Sequence, residues 1–215
     1  MTEATRIVAI RHGETAWNID TRIQGHLDIS LNATGRWQAE RLGTALADEP
    51  IAAIYSSDLV RAWDTALSIS HTTRSAVQTR KGLRERGFGL FEGKTFDEIE
   101  NQWPGEAVRW QKRDPGYAPE GGGESLIDFS IRITSVVDAL AAQHEGDQIV
   151  LVAHGGVMDV LYRAATRQEI QSPRTWALGN AAINRLLWTA QGLSLVGWAD
   201  TRHLEDGVAL DETTA

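Results

Sequence analysis

The sequence predicts an α/β protein, a three-layer α/β/α sandwich around a mostly parallel central sheet with a hairpin at its edge. Three observations lead there. Runs at 6–10, 51–55 and 147–153 are apolar at successive rather than alternate positions, which suits strands buried on both faces. Polar or glycine-containing loops follow the runs, and then segments of helical periodicity, the alternation that builds a parallel sheet covered on both sides. Near the C-terminus, apolar segments at 181–189 and 193–199 flank Gln191-Gly192 and read as a closing hairpin.

The elements follow in order. Asn32 and Thr34 are candidate caps for a helix reaching Asp48, with Trp37, Leu42, Ala45 and Leu46 at compatible spacing and Pro50 beyond its end. Ser57 or Asp58 caps a second helix that carries Leu59, Ala62, Trp63, Ala66, Leu67 and Ile69 on one side. From 82 to 123 glycine, proline and charge dominate, which predicts an irregular insertion over the sheet with short helical stretches at 95–103 and 106–113. Ser125 begins the most regular helix, where Leu126, Phe129, Ile133, Val136, Val137, Leu140 and Ala141 recur at the helical period until Gly146 ends it. His154-Gly-Gly156 opens a helix to about Thr166. Residues 1–203 are expected to form one domain and 204–215 an acidic, frayed tail. The eight tryptophans are expected mostly in the core, with Trp17, Trp103 and Trp110 placed for a pocket mouth.

Composition removes several functional classes. With 21 Lys and Arg against 29 Asp and Glu, the net charge of −8 disfavours a phosphate-backbone binder, so no nucleic-acid partner is expected. The absence of cysteine excludes disulfide frameworks, thiolate metal sites and cysteine nucleophiles. The polar N-terminus resembles neither a secretory signal nor a membrane anchor, which predicts a cytoplasmic protein without membrane association. No signal in the sequence sets the oligomeric state.

In open parallel sheets, ligands bind beyond the carboxyl ends of the strands. The conspicuous charged residues sit there: Arg11 and His12 after the first run, 57–61 with Arg61 after the second, and His154 after the third. An arginine fork grips a tetrahedral oxyanion through paired hydrogen bonds, and two arginines point to phosphate. A neutral imidazole against that phosphate can attack phosphorus, while a second histidine stabilises charge on the equatorial oxygens. The glycines after His154 leave room for backbone to approach a small anion. An acid for the leaving oxygen is not singled out by position alone.

These residues resemble the histidine phosphatase superfamily, also called phosphoglycerate mutase-like, over nearly the whole chain. The motifs that carry the resemblance are Arg11-His12-Gly13-Glu14-Thr15 with Trp17-Asn18 and Arg22-Ile-Gln-Gly25, then Ser56-Ser-Asp-Leu-Val-Arg-Ala62 with Thr65. After them come Leu83-Arg-Glu85 with Phe88-Gly89 and Glu92-Gly93, then Gly123-Glu-Ser125, then Val152-Ala-His-Gly-Gly156. The resemblance implies a phosphoglycerate mutase-like fold, phosphorylation of His12, phosphate binding by Arg11, Arg61 and His154, and proton donation by Glu85. It also implies further contacts to the bound ester from Asn18, Gln24, Gly25 and Gly155, and no metal or other cofactor. The expected partner is a small-molecule phosphate ester.

Within that family, mutases return the phosphoryl group to a sugar acid and phosphatases pass it to water. The second histidine motif reads His154-Gly155-Gly156 rather than the mutases' His-Gly-Asn-Ser, and only 30 residues separate Gly93 from Glu124, so the phosphatase branch is expected. A cofactor-dependent phosphoglycerate mutase is the alternative, and Arg109, Lys112 and Arg113 are read first as a solvated helix face. A non-catalytic phosphate-ester binding module is the alternative from a different class. His71, His144 and His203 are assigned to packing or surface, and His26 faces the substrate if any of the remaining histidines does.

Overall fold

The computed structural model describes residues 3–205. Its single sheet has six strands, β1 (Thr5–Arg11), β2 (Ala53–Ser56), β3 (Val77–Thr79), β4 (Gln148–Ala153), β5 (Ile183–Thr189) and β6 (Gly192–Asp200), in the order β3-β2-β4-β1-β5-β6. The pairs β1/β4, β2/β4 and β2/β3 are parallel, while β5 runs antiparallel to β1 and forms the edge hairpin with β6. Every residue of β4 is buried, the apolar run 149–153 as its composition requires and Gln148 with its amide donating to Glu49 Oε2 at 2.6 Å.

Helices α2 (Ala33–Ala45) and α3 (Val60–Thr73) cover one face, and α6 (Leu126–Ala141) and α7 (Gly155–Thr166) cover the other. On the first face, Leu42 and Leu46 with Ala62, Ala66 and Ile69 pack onto Val8, Ile10, Ile54, Val150 and Val152. On the second, Phe129, Ile133, Val137, Val157, Met158 and Leu161 meet Ile7, Ala9, Ile149 and Leu151. Alternate β1 residues therefore feed opposite cores, the period of two expected of a strand with both faces covered. The remaining helices are α1 (Ala16–Ile19), α4 (Phe96–Gln102) and α5 (Pro104–Gln111). Residues 82–123 hold the last two, and these enclose a small apolar cluster of Phe91, Ile99, Ala107 and Tyr117, flanked by Trp103 and Trp110.

Several expectations are corrected. The edge strand β3 and the single-turn α1 were not foreseen, the first because three residues, mostly exposed, carry no readable period. Leu67 is 43% exposed, since it lies one position off the buried stripe of Ala62, Ala66 and Ile69. Of the eight tryptophans only Trp176 and Trp188 are buried. Trp188 is buried with its N–H donated to Asp138 Oδ1 at 2.8 Å, while half-buried Trp198 donates to the Ala177 carbonyl at 2.9 Å. Of the predicted acidic tail, 206–215 lies outside the described residues. No helix among the described residues is long and apolar enough to cross a membrane.

Candidate active site

The in-register pairing of β1 and β4 decides where the two histidines fall. Arg11 pairs with Ala153, so His12 and His154 are the next residues at the same end of adjacent central strands. Their rings lie 5.3 Å apart between centroids at 60°, edge to face. Arg11, His12, Asn18, Gln24, Gly25, Arg61, Glu85 and Gly155 all line one cavity of about 180 Å³, and Arg22, Ile23 and Phe88 complete its wall. His154 is not part of that wall. It lies fully buried against His12, and neither of its ring nitrogens has a hydrogen-bond partner among the described residues.

His12 Nδ1 lies 2.6 Å from the carbonyl oxygen of Gly13, which makes Nδ1 the protonated nitrogen and leaves the lone pair on Nε2. Burial, reinforced by the charges of Arg61 and Arg11, holds the His12 imidazole well below the ordinary histidine range. His154 is held down in the same way by burial first, then by Arg61, His12 and Arg11. Both rings are therefore neutral at pH 7.

Arg61, in the first turn of α3, is fully buried and donates to the carbonyls of Leu27 and Gly25, each at 2.8 Å. Burial lowers its pKa to about 10, which still leaves it charged at pH 7. Arg11 donates to the Leu178 carbonyl, and burial lowers its pKa too. The Nε of each guanidinium is buried without a partner, and no ion pair to either forms among the described residues. Arg61 is fully buried and Arg11 half-buried, and the Glu85 charge partly offsets both, so an anionic ligand between them completes the charge balance.

Glu85 stands across from them. Its Oε2 accepts from the Gly156 N–H at 2.9 Å, in the first turn of α7, and its Oε1 accepts from the Arg86 N–H at 2.8 Å. A Cβ at position 156 would lie 2.2 Å from Glu85 Oε1, so the second glycine after His154 makes room for this carboxylate. That corrects the expectation that the space there is reserved for an anion. Gly25, at φ +50°, makes room for Glu92, whose Oε1 would sit 2.1 Å from an added Cβ.

Thr15 and Asn18 form a reciprocal capping box at the start of α1. With Asn18 Oδ1 taken by the Thr15 N–H at 3.0 Å, the amide N–H groups are free to donate. Gln24 donates to Thr15 Oγ1 at 2.9 Å. His26 is exposed and absent from the cavity wall; its Nε2 contacts the Glu85 carbonyl at 2.8 Å.

Sequence reasoning overlooked Asn180. Its amide donates to the His12 carbonyl at 2.9 Å and to Asn18 Oδ1 at 3.3 Å, while the Ala181 N–H reaches the Arg11 carbonyl at 2.9 Å. The polar Gly179-Asn180 step before the last hairpin was the available signal. Also missed was the brace behind Glu85. Arg132 on α6 pairs with Glu124 at 2.6 Å and donates to the carbonyls of Gly82, Arg84 and Glu85 at 2.9–3.1 Å, and Glu124 also accepts from the Gly87 N–H at 2.9 Å.

The family model of the histidine phosphatase superfamily (branch 1) matches residues 7–201. Phosphoglycerate mutase-like protein 4 of Arabidopsis thaliana is 36% identical over 203 residues, covering 93% of this chain and 87% of that protein. A metal-independent phosphoserine phosphatase of the same plant is 35% identical over 207 residues, covering 94% and 84%. Among solved structures, a mycobacterial glucosyl-3-phosphoglycerate phosphatase superposes with a TM-score of 0.82 at 33% identity, covering 92% of this chain and all of that one.

Proposed function

The chain belongs to the histidine phosphatase superfamily, and from that premise we propose that it hydrolyses small phosphomonoesters through a phosphohistidine on His12, without a metal ion. The observation that carries the reading is a neutral imidazole flanked by the guanidiniums of fully buried Arg61 and half-buried Arg11, neither of them ion-paired among the described residues. The ester's phosphate supplies the missing negative charge. Arg11 and Arg61 hold it, with Asn18, Gln24, Gly25 and Gly155 around it, and the N-terminal end of α7 adds favourable potential for an anion. His154, packed edge to face on His12 with both ring nitrogens unpartnered among the described residues, supports charge on the transferring group.

In the first step His12 Nε2 forms a bond to phosphorus as the ester P–O bond breaks, and a protonated Glu85 passes its proton to the departing oxygen. In the second, the Glu85 carboxylate takes a proton from water as the water oxygen attacks phosphorus. The P–N bond then breaks, inorganic phosphate leaves, and Glu85 is again protonated. One carboxyl serves both half-reactions.

The same proposal takes 1–203 as one catalytic domain with 82–123 as its substrate-facing insertion, supported by the continuous sheet beneath it. It places the protein in the cytoplasm, which suits a chain with no cysteine. Rapid quench with a ³²P-labelled ester tests the reaction. The expected result is an acid-labile, alkali-stable adduct on His12, absent in His12→Asn, with phosphate released faster than 2- and 3-phosphoglycerate interconvert. Label on His154, or interconversion outrunning release, overturns the reading.

A further inference from the structure

The insertion holds a second cavity, of about 150 Å³, that shares no wall residue with the phosphate cavity. Its wall is Leu90, Phe91, Trp103, Glu106, Tyr117 and Glu120, which supply aromatic rings and carboxylates but no cation. Trp103, placed by its sequence at a pocket mouth, is found here and not at the phosphate site.

Local structure brings these residues together. Pro104 begins α5, which leaves Trp103 at the junction of α4 and α5. Leu90 and Phe91 lie in a 3₁₀ turn at Gly89–Phe91, and the Leu90 N–H donates to the Glu120 carbonyl at 2.8 Å. Buried Arg86 donates to the Tyr117 carbonyl at 2.9 Å and so ties the same loop down. The Phe91 ring centre then stands 5.7 Å from that of Trp103 and 6.5 Å from that of Tyr117.

Two features of the wall are unsatisfied. Tyr117 is only 3% exposed, and its hydroxyl is buried without a hydrogen-bond partner among the described residues. Burial first, then the nearby Glu106 carboxylate, push the Tyr117 phenol up, so it stays a neutral hydroxyl whose oxygen can accept a hydrogen bond. The second feature is charge: neither Glu106 nor Glu120 has an ion-pair partner among the described residues. The nearest cations do not supply it. Arg109 lies 4.5 Å from the Tyr117 ring centre and is paired with Asp114 at 2.9 Å, and Lys94 Nζ lies 5.5 Å from the Trp103 ring centre. Neither lines the cavity.

We propose that this cavity binds a small organic ammonium group that carries at least one N–H. The aromatic faces attract the cation, and their apolar surface with that of Leu90 accepts its alkyl part. Glu106 and Glu120 balance its charge, and its N–H donates to the Tyr117 oxygen, giving a buried polar group the partner it lacks. The same carboxylates repel a phosphate ester, so this site is distinct in chemistry as well as in place from the one beside His12. Its volume, below that of a pocket for a drug-sized molecule, suits a head group.

The test titrates the full chain with isobutylammonium chloride and with its neutral analogue isobutanol, followed by ¹H–¹⁵N correlation spectra. For the ammonium, saturable shifts are expected at the Trp103 indole N–H and at the amides of 90–91 and 117–120, with an affinity at least about tenfold above that for the alcohol. The double variant Glu106→Gln, Glu120→Gln should weaken the ammonium by roughly threefold to tenfold and leave the alcohol unchanged. Tyr117→Phe should weaken isobutylammonium but not tetramethylammonium, which has no N–H to donate. Equal affinities of the wild type for ammonium and alcohol, shifts centred elsewhere, or shifts that never saturate overturn the proposal, and this comparison decides it even if a variant fails to fold. No turnover is measured, so the outcome is independent of the hydrolase reading.

Discussion

At His12, burial and charge act in the same direction. Both favour the neutral ring, so the proposed nucleophile is unprotonated at neutral pH and the fold carries an acid-sensitive element. The folded imidazoles of His12 and His154 resist protonation while the unfolded ones take up protons below about pH 6.5, so stability falls as pH drops through that value. Each ring contributes at most about 1.4 kcal/mol per pH unit. Urea midpoints at pH 7.5 and 5.5 should show the loss, and His12→Asn, which keeps a donor for the Gly13 carbonyl, should reduce it; an unchanged difference between the two pH values would reject burial of His12 as a cause. Glu85 calls for a kinetic test, because an acid matters only where the leaving oxygen is basic. Glu85→Gln should slow the phosphoenzyme burst with an alkyl phosphate by roughly 10² to 10⁴-fold and with p-nitrophenyl phosphate far less. Equal slowing would reduce Glu85 to a positioning role. Among single residues, those directly after apolar strands were legible because strand ends in a parallel sheet must face the ligand. Glu85 and Asn180 were not, since neither follows a strand and each is placed by partners far away in sequence.

The elements show why such distant partners matter. The segment carrying Glu85 has no strand or α-helix of its own beyond a 3₁₀ turn at Lys81–Leu83, and α6 holds it through the Arg132–Glu124 pair. Both side chains of that pair are about a quarter exposed, so its effect on global stability is modest. Its effect on geometry is larger, because it fixes three consecutive stretches of backbone around the acid. Glu124→Gln should therefore lower kcat for alkyl esters by about tenfold with little change in KM, the signature of a displaced acid. A raised KM at constant kcat would place Glu124 in substrate binding instead. The helix itself was plain in the sequence, its apolar stripe from Phe129 to Leu140 being the clearest in the chain. What periodicity could not show is that Arg132, at the flank of that stripe with its guanidinium over the Phe129 ring, reaches back to the insertion. For β3 there was no period to read, and its existence depends on the edge of β2 standing open.

On the scale of the whole molecule, a chain of net charge −8 binds an anion, and the contradiction is resolved by where the charges lie. Among the described residues Asp159 is the one buried carboxylate, while Arg11 and Arg61 line a cavity where solvent and salt screen them less than at an open surface. Their confinement also bears on metal dependence. Phosphoryl transfer needs positive charge around the equatorial oxygens, and enzymes that use magnesium hold it with clustered carboxylates. In the proposed mechanism the guanidiniums take that role, and among the described residues Glu85 is the only carboxylate on the cavity wall, with both oxygens accepting from backbone N–H groups. A divalent ion entering the cavity would meet two fixed positive charges and a single carboxylate among the described residues. Exhaustive chelation should therefore leave the rate of phosphate release unchanged, and added magnesium should fail to raise it. Vanadate, which has the charge and shape of the transferring group and brings no metal-binding requirement of its own, should inhibit competitively with substrate whether or not chelator is present. Loss of turnover on chelation with recovery on adding magnesium would mean that the two guanidiniums do not suffice, and the assignment of Arg11 and Arg61 as the phosphate's counter-charge would have to be abandoned.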